Sequence, residues 1–371
     1  MQFIDLQTQY QRHKSAIDAA IARVLAHGKF VNGPENEALE SQLAAYVGAS
    51  YCIMMSSGTT ALQVALMALD IQPGDEVITS PFSFFATAEV IYLLKAKPVY
   101  VDIDPSTYLM DSNAISAAIT ARTKAIIPVS LYGQCADMDV INAIAKRHHI
   151  AVIEDAAQSF GAIYKNKKSC ALSDIACTSF FPSKPLGCYG DGGACFTNDA
   201  ALATRMRHIM NHGQSSRYHH VEIGINGRMD TLQSAILLEK LAFFDEEIKM
   251  REQVDAWYRD ALGDAIKPPV ILPHNKSVYA QYTVAVNERD HVQKTLQAAG
   301  IPTTVHYPLG LHQQPALMHG SHSFPSFPVT ERATKHVLSL PFHPYLTHNQ
   351  VTEIVEKLIA CVLELVDGSE S

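Results

Sequence analysis

Apolar and polar positions follow two different patterns along the first part of the chain. Short apolar runs predict buried strands, and longer segments with apolar residues three or four positions apart predict helices between them. The predicted strands cover 51–55, 76–79, 98–101, 125–129, 150–154, 175–181 and 193–197. Strands that alternate with helices predict an α/β fold, in which a mostly parallel seven-stranded sheet lies between layers of helices.

The same pattern predicts helices before, between and after these strands. They cover 9–27, 35–47, a segment ending at 69, 86–94, 113–121, 138–148 and a long stretch over 229–258. The rest of the chain has strand-like segments at 281–286, 303–305 and 337–340, and helical segments at 292–299 and 347–366. We therefore expect a large domain over 1–245 and a small C-terminal α+β domain over 246–371. Residues 306–330 are rich in His, Pro and Gly, which suits either a substrate-contacting loop or an ordered surface loop.

Composition narrows the class of protein. The chain has 371 residues, of which 47% are hydrophobic and 18% charged, as in ordinary soluble globular proteins. A net charge of -8 argues against nucleic acid or an anionic membrane as a partner. The seven cysteines are scattered and form no CxxC pair, which favours buried thiols over a metal site or disulfides. With no apolar segment that resembles a secretion signal or a membrane span, we expect a cytoplasmic protein without a membrane or metal partner.

One lysine lies in an unusual setting. Lys184 falls between Pro182 and Pro185, in an apolar stretch before a glycine-rich turn, and no acidic residue follows it until Asp191. An ammonium in such surroundings is poorly solvated, so its pKa should fall toward neutrality. A neutral amine can attack a carbonyl and form the Schiff base that pyridoxal phosphate enzymes use. Taken alone, a solvated loop lysine without a function is the simpler interpretation.

A carboxylate and an amide follow another predicted strand. Asp155 comes at the carboxyl end of a buried strand, where ligands of open α/β sheets bind, and Gln158 lies three residues further on. An anionic Asp155 beside a pyridine nitrogen would keep that nitrogen protonated, and the ring would then accept electrons from a substrate carbanion. Gln158 could hydrogen-bond the phenolic oxygen of the same ring. The alternative is that Asp155 caps the next helix.

Two further segments suit a phosphate and a flat ring. Residues 56–60 lie between a predicted strand and a predicted helix, where backbone N–H groups bind phosphate, although plain helix capping is the simpler interpretation of this segment taken alone. The aromatic residues of segment 81–85 could stack on a cofactor ring or fill the core.

Another segment, 224–230, contains Asn226 and Arg228 and precedes the long helical pattern. Asn226 could bind a phosphate and Arg228 a carboxylate, or the segment could be a turn with a surface ion pair. His306 and Tyr307 are ambiguous in the same way.

Taken together, these motifs supply an amine, a carboxylate for a ring nitrogen, a stacking aromatic and a phosphate cradle. The sequence resembles the fold-type I sugar-nucleotide aminotransferases of the DegT/DnrJ/StrS family. The matching runs cover nearly the whole chain in the same order: SSGTTAL, GDEVI, PFSFFATAE, AKPVYVDID, EDAAQSFGA, SFFPSKPLGCYGDGGA, NHG, GINGRMDTLQSA and VHYP. The resemblance implies a pyridoxal phosphate enzyme that aminates a keto sugar bound to a nucleotide.

The resemblance also implies a role for each matching residue. Lys184 corresponds to the cofactor-binding lysine, Asp155 to the residue at the pyridine nitrogen and Gln158 to that at the phenolic oxygen. Phe84 corresponds to the residue that stacks on the ring. The other implied contacts are Gly58, Thr59 and Ser179 to the phosphate, Asn226 to the phosphate of the neighbouring subunit in a homodimer, and Arg228, His306 and Tyr307 to the substrate.

Within the family, the runs PSKPLGCYGDGG and HGQSSRYHH look closest to a branch that aminates C3 of a UDP-linked 2-acetamido-2-deoxy-3-oxo-glucuronate for bacterial surface polysaccharides such as lipopolysaccharide O-antigen. Glutamate is the donor that the resemblance implies. Alternatives are amination of another dTDP- or UDP-linked keto-deoxy sugar at C3 or C4, sugar dehydration, sulfur removal, or a regulatory or sugar-binding protein that has lost the chemistry. Because relatives that dehydrate sugars carry His in place of the lysine, Lys184 favours transamination.

Overall fold

The computed structural model describes residues 1–317 and 324–367. Its strands are β1 (Tyr51–Met55), β2 (Glu76–Thr79), β3 (Lys97–Tyr100), β4 (Thr123–Ile127), β5 (Ala151–Asp155), β6 (Ile163–Tyr164), β7 (Lys167–Lys168), β8 (Ile175–Ser179), β9 (Gly193–Thr197), β10 (Gln214–Ser216), β11 (His219–His220), β12 (Asn275–Lys276), β13 (Tyr282–Ala285) and β14 (Val337–Leu340). Its helices are α1 (Leu6–His27), α2 (Pro34–Val47), α3 (Gly58–Ala68), α4 (Ala86–Leu93), α5 (Ile115–Ala118), α6 (Met138–His148), α7 (Ala200–Ile209), α8 (Thr231–Leu241), α9 (Phe244–Leu262), α10 (Arg289–Ala298), α11 (Pro328–His336) and α12 (His348–Asp367).

Seven strands form the main sheet, in the order β1-β9-β8-β5-β4-β2-β3. The pairs within β8-β5-β4-β2-β3 are parallel, whereas β9 runs antiparallel to both of its neighbours. The predicted α/β fold with a mostly parallel seven-stranded sheet is therefore confirmed. Because Met55 and Ser179 both pair with Gly193, the carboxyl ends of β1 and β8 meet at one edge of the sheet.

Local sequence explains where several helices begin and end. Asp5 caps α1 by accepting a hydrogen bond from the N–H of Thr8 over 2.8 Å, and Gly28 ends this helix in a left-handed conformation with φ 69°. In the same way, Ser57 caps α3 by accepting the N–H of Thr60 over 3.0 Å. The N–H groups at the start of α3 therefore point toward the edge of the sheet where β1 ends.

Several predicted elements differ from the structure by one to three residues at their ends, and three differ in other ways. The helix expected over 229–258 is divided into α8 and α9 at Phe243, because three acidic residues in the first turn of α9 favour a new helix start there. The helix expected over 113–121 ends at Ala118, since the N–H of Thr120 bonds to the hydroxyl of Thr123 instead of continuing the helix. The strand-like segment 303–305 forms only a single bridge, between Thr304 and Ser339. Part of the expected loop 306–330, residues 318–323, lies outside the described residues.

Two large hydrophobic clusters take their residues from different parts of the chain. The sheet packs against α3 and α7 in one core, whereas the other draws its buried residues from Val254 to Cys361, including β13, β14, α10 and α12. The division into two domains near residue 245 stays a prediction. In the described ranges, no helix has the length and apolar character needed to cross a bilayer.

Candidate active site

Three loops that carry predicted site residues converge at the carboxyl edge of the sheet. Asp155 is the last residue of β5, Ser179 is the last residue of β8, and Lys184 follows in the loop between β8 and β9. The start of α3 reaches the same edge, because a Cβ added to Gly58 would lie 2.8 Å from the Cβ of Ser179. The edge thus brings an amine, a carboxylate and a helix N-terminus together.

Lys184 and Asp155 lie close enough within this edge for each charge to affect the pKa of the other side chain. Burial lowers the pKa of Lys184 to about 8, and the negative charge of Asp155 offsets part of that effect. Burial also raises the pKa of Asp155, against the hydrogen bonds from Thr87 and Ala157 and the positive charge of Lys184. The amine therefore loses its proton much closer to neutral pH than an exposed lysine does, which suits attack on a carbonyl.

Asp155 is held in one orientation by two hydrogen bonds. Its side chain is 4% exposed, its Oδ2 accepts the hydroxyl of Thr87 over 2.8 Å, and its Oδ1 accepts the N–H of Ala157 over 3.2 Å. The hydroxyl of Thr87 lies 2.9 Å from that of Ser83, which is also buried. A charged carboxylate in such a place needs donors, and these hydrogen bonds favour its anionic form.

Gln158 links the large sheet to the C-terminal part of the chain. Its Oε1 accepts the backbone N–H of Tyr132 over 2.8 Å, and its Nε2 donates to the hydroxyl of Tyr307 over 2.9 Å. Because the N–H of Tyr132 fixes the carbonyl end of the amide, the NH₂ end must face Tyr307. Burial raises the pKa of Tyr307, so its phenol keeps its proton at neutral pH.

His306 lies beside this pair as a neutral imidazole. Burial, together with the positive charge of Lys184, lowers the pKa of His306 to about 4. Its Nδ1 lies 2.8 Å from the hydroxyl of Ser339, and its carbonyl accepts the hydroxyl of Tyr132. The structure therefore places His306 and Tyr307 near Lys184 and Gln158, and their predicted substrate contacts stay predictions.

Phe84 exposes its ring at the same site. The side chain is 58% exposed, and its ring centroid lies 6.5 Å from that of Tyr307 with an interplanar angle of 44°. Neighbouring Phe82, in contrast, is 1% exposed and belongs to the core. Of these two phenylalanines, Phe84 is thus the one with a ring face available for stacking.

The start of α3 fits a phosphate. Ser57 uses its side chain to cap the helix, Gly58 lies against Ser179, and Thr59 occupies the next position of the first turn. The first N–H groups of a helix have no partner within the helix and carry its partial positive charge. These groups and the hydroxyl of Ser179 form a compact cradle for a dianion.

Asn226 and Arg228 lie on a loop beside this cradle. The carbonyl of Gly227 accepts the N–H of Ser56 over 2.8 Å, which fixes the loop against the start of α3. The side chain of Asn226 is exposed, whereas Arg228 donates from Nη1 to Oδ1 of Asn211 over 2.7 Å. Neither side chain contacts Asp155 or Lys184 within the described residues of this single chain, and their predicted roles stay predictions.

Sequence reasoning missed three residues that organise the site: Thr87, Tyr132 and Ser339. Thr87 carries a weak signal, because it lies one turn after Ser83 at the start of a helix that follows a strand. Tyr132 gives none, since its left-handed backbone, with φ 56°, turns its N–H toward Gln158. Ser339 reads as an ordinary strand residue.

The chain belongs to the DegT/DnrJ/EryC1/StrS aminotransferase family, whose model matches residues 11–359. It is 59% identical, over 93% of this chain and 96% of the relative, to the UDP-2-acetamido-2-deoxy-3-oxo-D-glucuronate aminotransferase of Pseudomonas aeruginosa. The crystal structure of a DegT/DnrJ/EryC1/StrS aminotransferase from Brucella abortus has a TM-score of 0.94 and 43% identity, covering 98% of this chain and 99% of that chain. The protein is therefore a pyridoxal phosphate-dependent aminotransferase, and its resemblance to fold-type I enzymes is confirmed.

A Bacillus subtilis relative, NtdA, was solved with bound pyridoxamine phosphate. It is 32% identical to this chain, covers 96% of it and 83% of its own length, and has a TM-score of 0.88. The residues present here fit the same cofactor, because Lys184 is desolvated, Asp155 is a buried carboxylate and Gly58 lets the start of α3 lie against Ser179. In the described ranges no cluster of His, Cys, Asp or Glu is arranged to hold a metal ion.

Proposed function

We propose that this aminotransferase moves the amino group of glutamate to C3 of UDP-2-acetamido-2-deoxy-3-oxo-glucuronate. The substrate assignment rests on the 59% identity to the Pseudomonas aeruginosa relative over nearly the full length of both chains. The chemistry is supported independently by the lowered pKa of Lys184 and by the buried carboxylate of Asp155 at the same edge of the sheet. The product would be a 3-amino uronic acid on a nucleotide, which suits the assembly of lipopolysaccharide O-antigen.

Each residue of the site has a defined part in this reaction. Bound pyridoxal phosphate supplies a carbonyl that condenses with amines and a ring that accepts the electrons of a carbanion. Lys184, as a free amine, would remove the proton from the donor's Cα and return it to C4′ of the cofactor. Asp155 stays anionic and holds a proton at the ring nitrogen, so the electrons are drawn toward that side.

The remaining residues bind and orient. The phosphate is held by the N–H groups of Gly58 and Thr59 and by the hydroxyl of Ser179. Gln158 donates a hydrogen bond to the phenolic oxygen of the cofactor, and Phe84 covers one face of its ring. Since Gln158 also donates to Tyr307 over 2.9 Å, the phenol of Tyr307 lies next to the position of that oxygen. His306 is neutral at physiological pH, so it can contact a sugar hydroxyl without adding charge beside Lys184.

A uronate substrate requires a cation for its carboxylate, and Arg228 suits that task. The hydrogen bond from its Nη1 to Asn211 occupies one edge of the guanidinium and leaves Nε and Nη2 for a carboxylate. A neutral keto sugar would make no use of this charge. The second candidate substrate, a neutral UDP- or dTDP-linked keto sugar, is therefore less well matched.

The proposed assembly is a homodimer in the cytoplasm. The exposed side chain of Asn226 supports it, because an exposed amide is available to contact a second copy. We place the boundary between the large and small domains at 245/246.

A substrate panel tests the proposed function. The purified protein is loaded with pyridoxal phosphate and mixed with ¹⁵N-glutamate and one of three sugars: the 3-oxo uronate, a neutral UDP-3-oxo sugar or a dTDP-4-keto sugar. Mass spectrometry then measures the mass of each product. We expect ¹⁵N in the uronate product and much less in the other two. Preferential labelling of a neutral sugar would refute the substrate assignment, and loss of water without labelling would indicate a dehydratase.

A further inference from the structure

Helix α8 holds the loop that carries Lys184 with two polar side chains on one face. Gln233 and Lys240 are separated by about two helical turns, so their side chains project from the same side. Gln233 Oε1 accepts the N–H of Tyr189 over 2.8 Å, and its Nε2 donates to the carbonyl of Tyr189 over 3.3 Å. Lys240 Nζ donates to the carbonyl of Gly187.

The loop between β8 and β9 has few other polar contacts with its surroundings. Residues 180–192 contain no helix or strand, and the N–H of Lys184 bonds within the loop to the carbonyl of Phe181 over 2.8 Å. In the part of the chain that the structure describes, the side-chain hydrogen bonds from other elements to residues 183–191 come from Gln233 and Lys240. Besides the packing of Leu186 and Cys188 in the core, the polar contacts with α8 therefore hold this loop in place.

Burial of the Lys240 ammonium costs free energy because the charge loses its hydration. Its contact with Gly187 is therefore informative. Its side chain is 1% exposed, and burial lowers the pKa of Lys240 to about 8 despite the opposing charge of Glu247. The nitrogen lies 5.2 Å from the ring centroid of Tyr189. Methionine would fill much of the same space without desolvating a charge, but it could not donate to the carbonyl of Gly187.

A movement at Gly187 would be passed to Lys184 because the turn between them is tight. A Cβ added to Gly187 would lie 2.5 Å from the carbonyl oxygen of Pro182. The same helix begins directly after the loop whose Gly227 carbonyl bonds to Ser56 at the phosphate cradle. Helix α8 therefore contacts the loop that carries Lys184, and the loop before this helix contacts the phosphate cradle.

We infer that Gln233 and Lys240 are positioning residues, which hold the loop backbone so that the amine of Lys184 meets the aldehyde of pyridoxal phosphate in the correct place. The inference rests on the proposed function, since it takes Lys184 as the residue that binds the cofactor.

The test separates covalent capture of the cofactor from its non-covalent binding. Full-length apo protein carrying Lys240→Met or Gln233→Leu is mixed with pyridoxal phosphate, and the growth of the visible absorbance band is followed. Pyridoxamine phosphate lacks the aldehyde, so its Kd reports on the phosphate and ring contacts alone. We expect capture to slow by about tenfold or more, because small displacements of a reacting group carry penalties of this size, while the Kd for pyridoxamine phosphate stays near the wild-type value.

The matched control is Glu239→Gln, on the same helix. Glu239 pairs with Arg23 at the surface, with a distance of 2.7 Å between Nη2 and Oε1, so this variant should capture at the wild-type rate. Gln233 is only partly buried, so Gln233→Leu decides the outcome if Lys240→Met does not fold.

Two results would overturn the inference: wild-type capture by the variants that fold, or slower capture matched by an equal loss of affinity for pyridoxamine phosphate. The variant Lys184→Ala distinguishes this outcome from failure of the proposed function. If the visible band depends on Lys184 but not on Gln233 or Lys240, only the positioning role is wrong.

Discussion

The hydroxyl of Thr87 donates to Oδ2 of Asp155 over 2.8 Å, although the two residues are 68 positions apart in the chain. Thr87 is on α4 and Asp155 ends β5, so the hydrogen bond joins two elements that only the fold brings together. Both side chains are buried. Because the bond is made to a desolvated carboxylate, it favours the anionic form that a protonated ring nitrogen needs opposite it.

Thr87→Val tests this relationship, since valine keeps the shape of threonine and removes the donor. A hydrogen bond to a charged group contributes about 1.5–3 kcal/mol, so we expect kcat to fall roughly ten- to a hundredfold. Ser83→Ala, which removes the neighbouring hydroxyl but leaves the bond to Asp155 intact, should have a smaller effect. Equal activity of Thr87→Val and wild type would show that the bond does not affect catalysis.

Asp155→Asn removes the negative charge but keeps the size of the side chain. Without an anion opposite the ring nitrogen, the ring accepts electrons less readily, and we expect the first half-reaction with glutamate to slow at least about a hundredfold. Stopped-flow measurement of the loss of the visible band gives this rate. A rate within a few-fold of wild type would show that Asp155 does not lie opposite the ring nitrogen.

Gly58→Ala tests the phosphate cradle. The added Cβ would lie 2.8 Å from the Cβ of Ser179, so either α3 or the end of β8 must move and the cradle must change shape. We expect weaker binding of pyridoxamine phosphate, measured by calorimetry. Gly48→Ala is the control for general destabilisation, because Gly48 ends α2 in a left-handed conformation with φ 83°, a position where any side chain is strained. Equal affinity of Gly58→Ala and wild type for pyridoxamine phosphate would show that the phosphate binds at another site.

The pH dependence of cofactor capture follows from the lowered pKa of Lys184. Only the uncharged amine attacks the aldehyde, so we expect the capture rate of the apo protein to rise with pH up to about 8 and to level off above it. The pKa is lower in the folded chain than in the unfolded chain, where it is near 10.5. Stability contributed by this group therefore increases as pH rises between these two values. A capture rate that continues to rise well beyond pH 9 would show that the amine is solvated.

Arg228→Met addresses substrate choice. Loss of a cation that pairs with a buried carboxylate costs about 2–5 kcal/mol, so kcat/KM for the uronate should fall at least about thirtyfold. The half-reaction with glutamate, and any slow reaction with a neutral UDP-3-oxo sugar, should change much less. An equal loss with both sugars would mean that Arg228 serves the fold or the nucleotide rather than the uronate.

Much of the fold and part of the site could be predicted because the signals are local. β1, β2 and β9 were predicted with the bounds that the structure has, since short apolar runs next to turn residues define buried strands. Lys184 and Asp155 could be selected because one follows an apolar run between prolines and the other ends a strand. These signals lie within a few residues of the position they mark.

The rest depends on contacts between distant segments. The bond from Thr87 to Asp155 and the link from Tyr132 through Gln158 to Tyr307 join positions that no sequence window contains together. Lys240 reads as an ordinary helix lysine, and only packing against α9 and the 180–192 loop buries it. The break at Phe243 was missed because apolar positions continue with helical spacing across it.

The central claim is that the amine of Lys184 binds the cofactor covalently. Reduction of the holoenzyme with borohydride makes this bond permanent, and digestion followed by mass spectrometry locates the pyridoxyl group. The account predicts the group on Lys184 in nearly every modified chain. Modification of another lysine, such as the buried Lys240, or the absence of any modified peptide would contradict it.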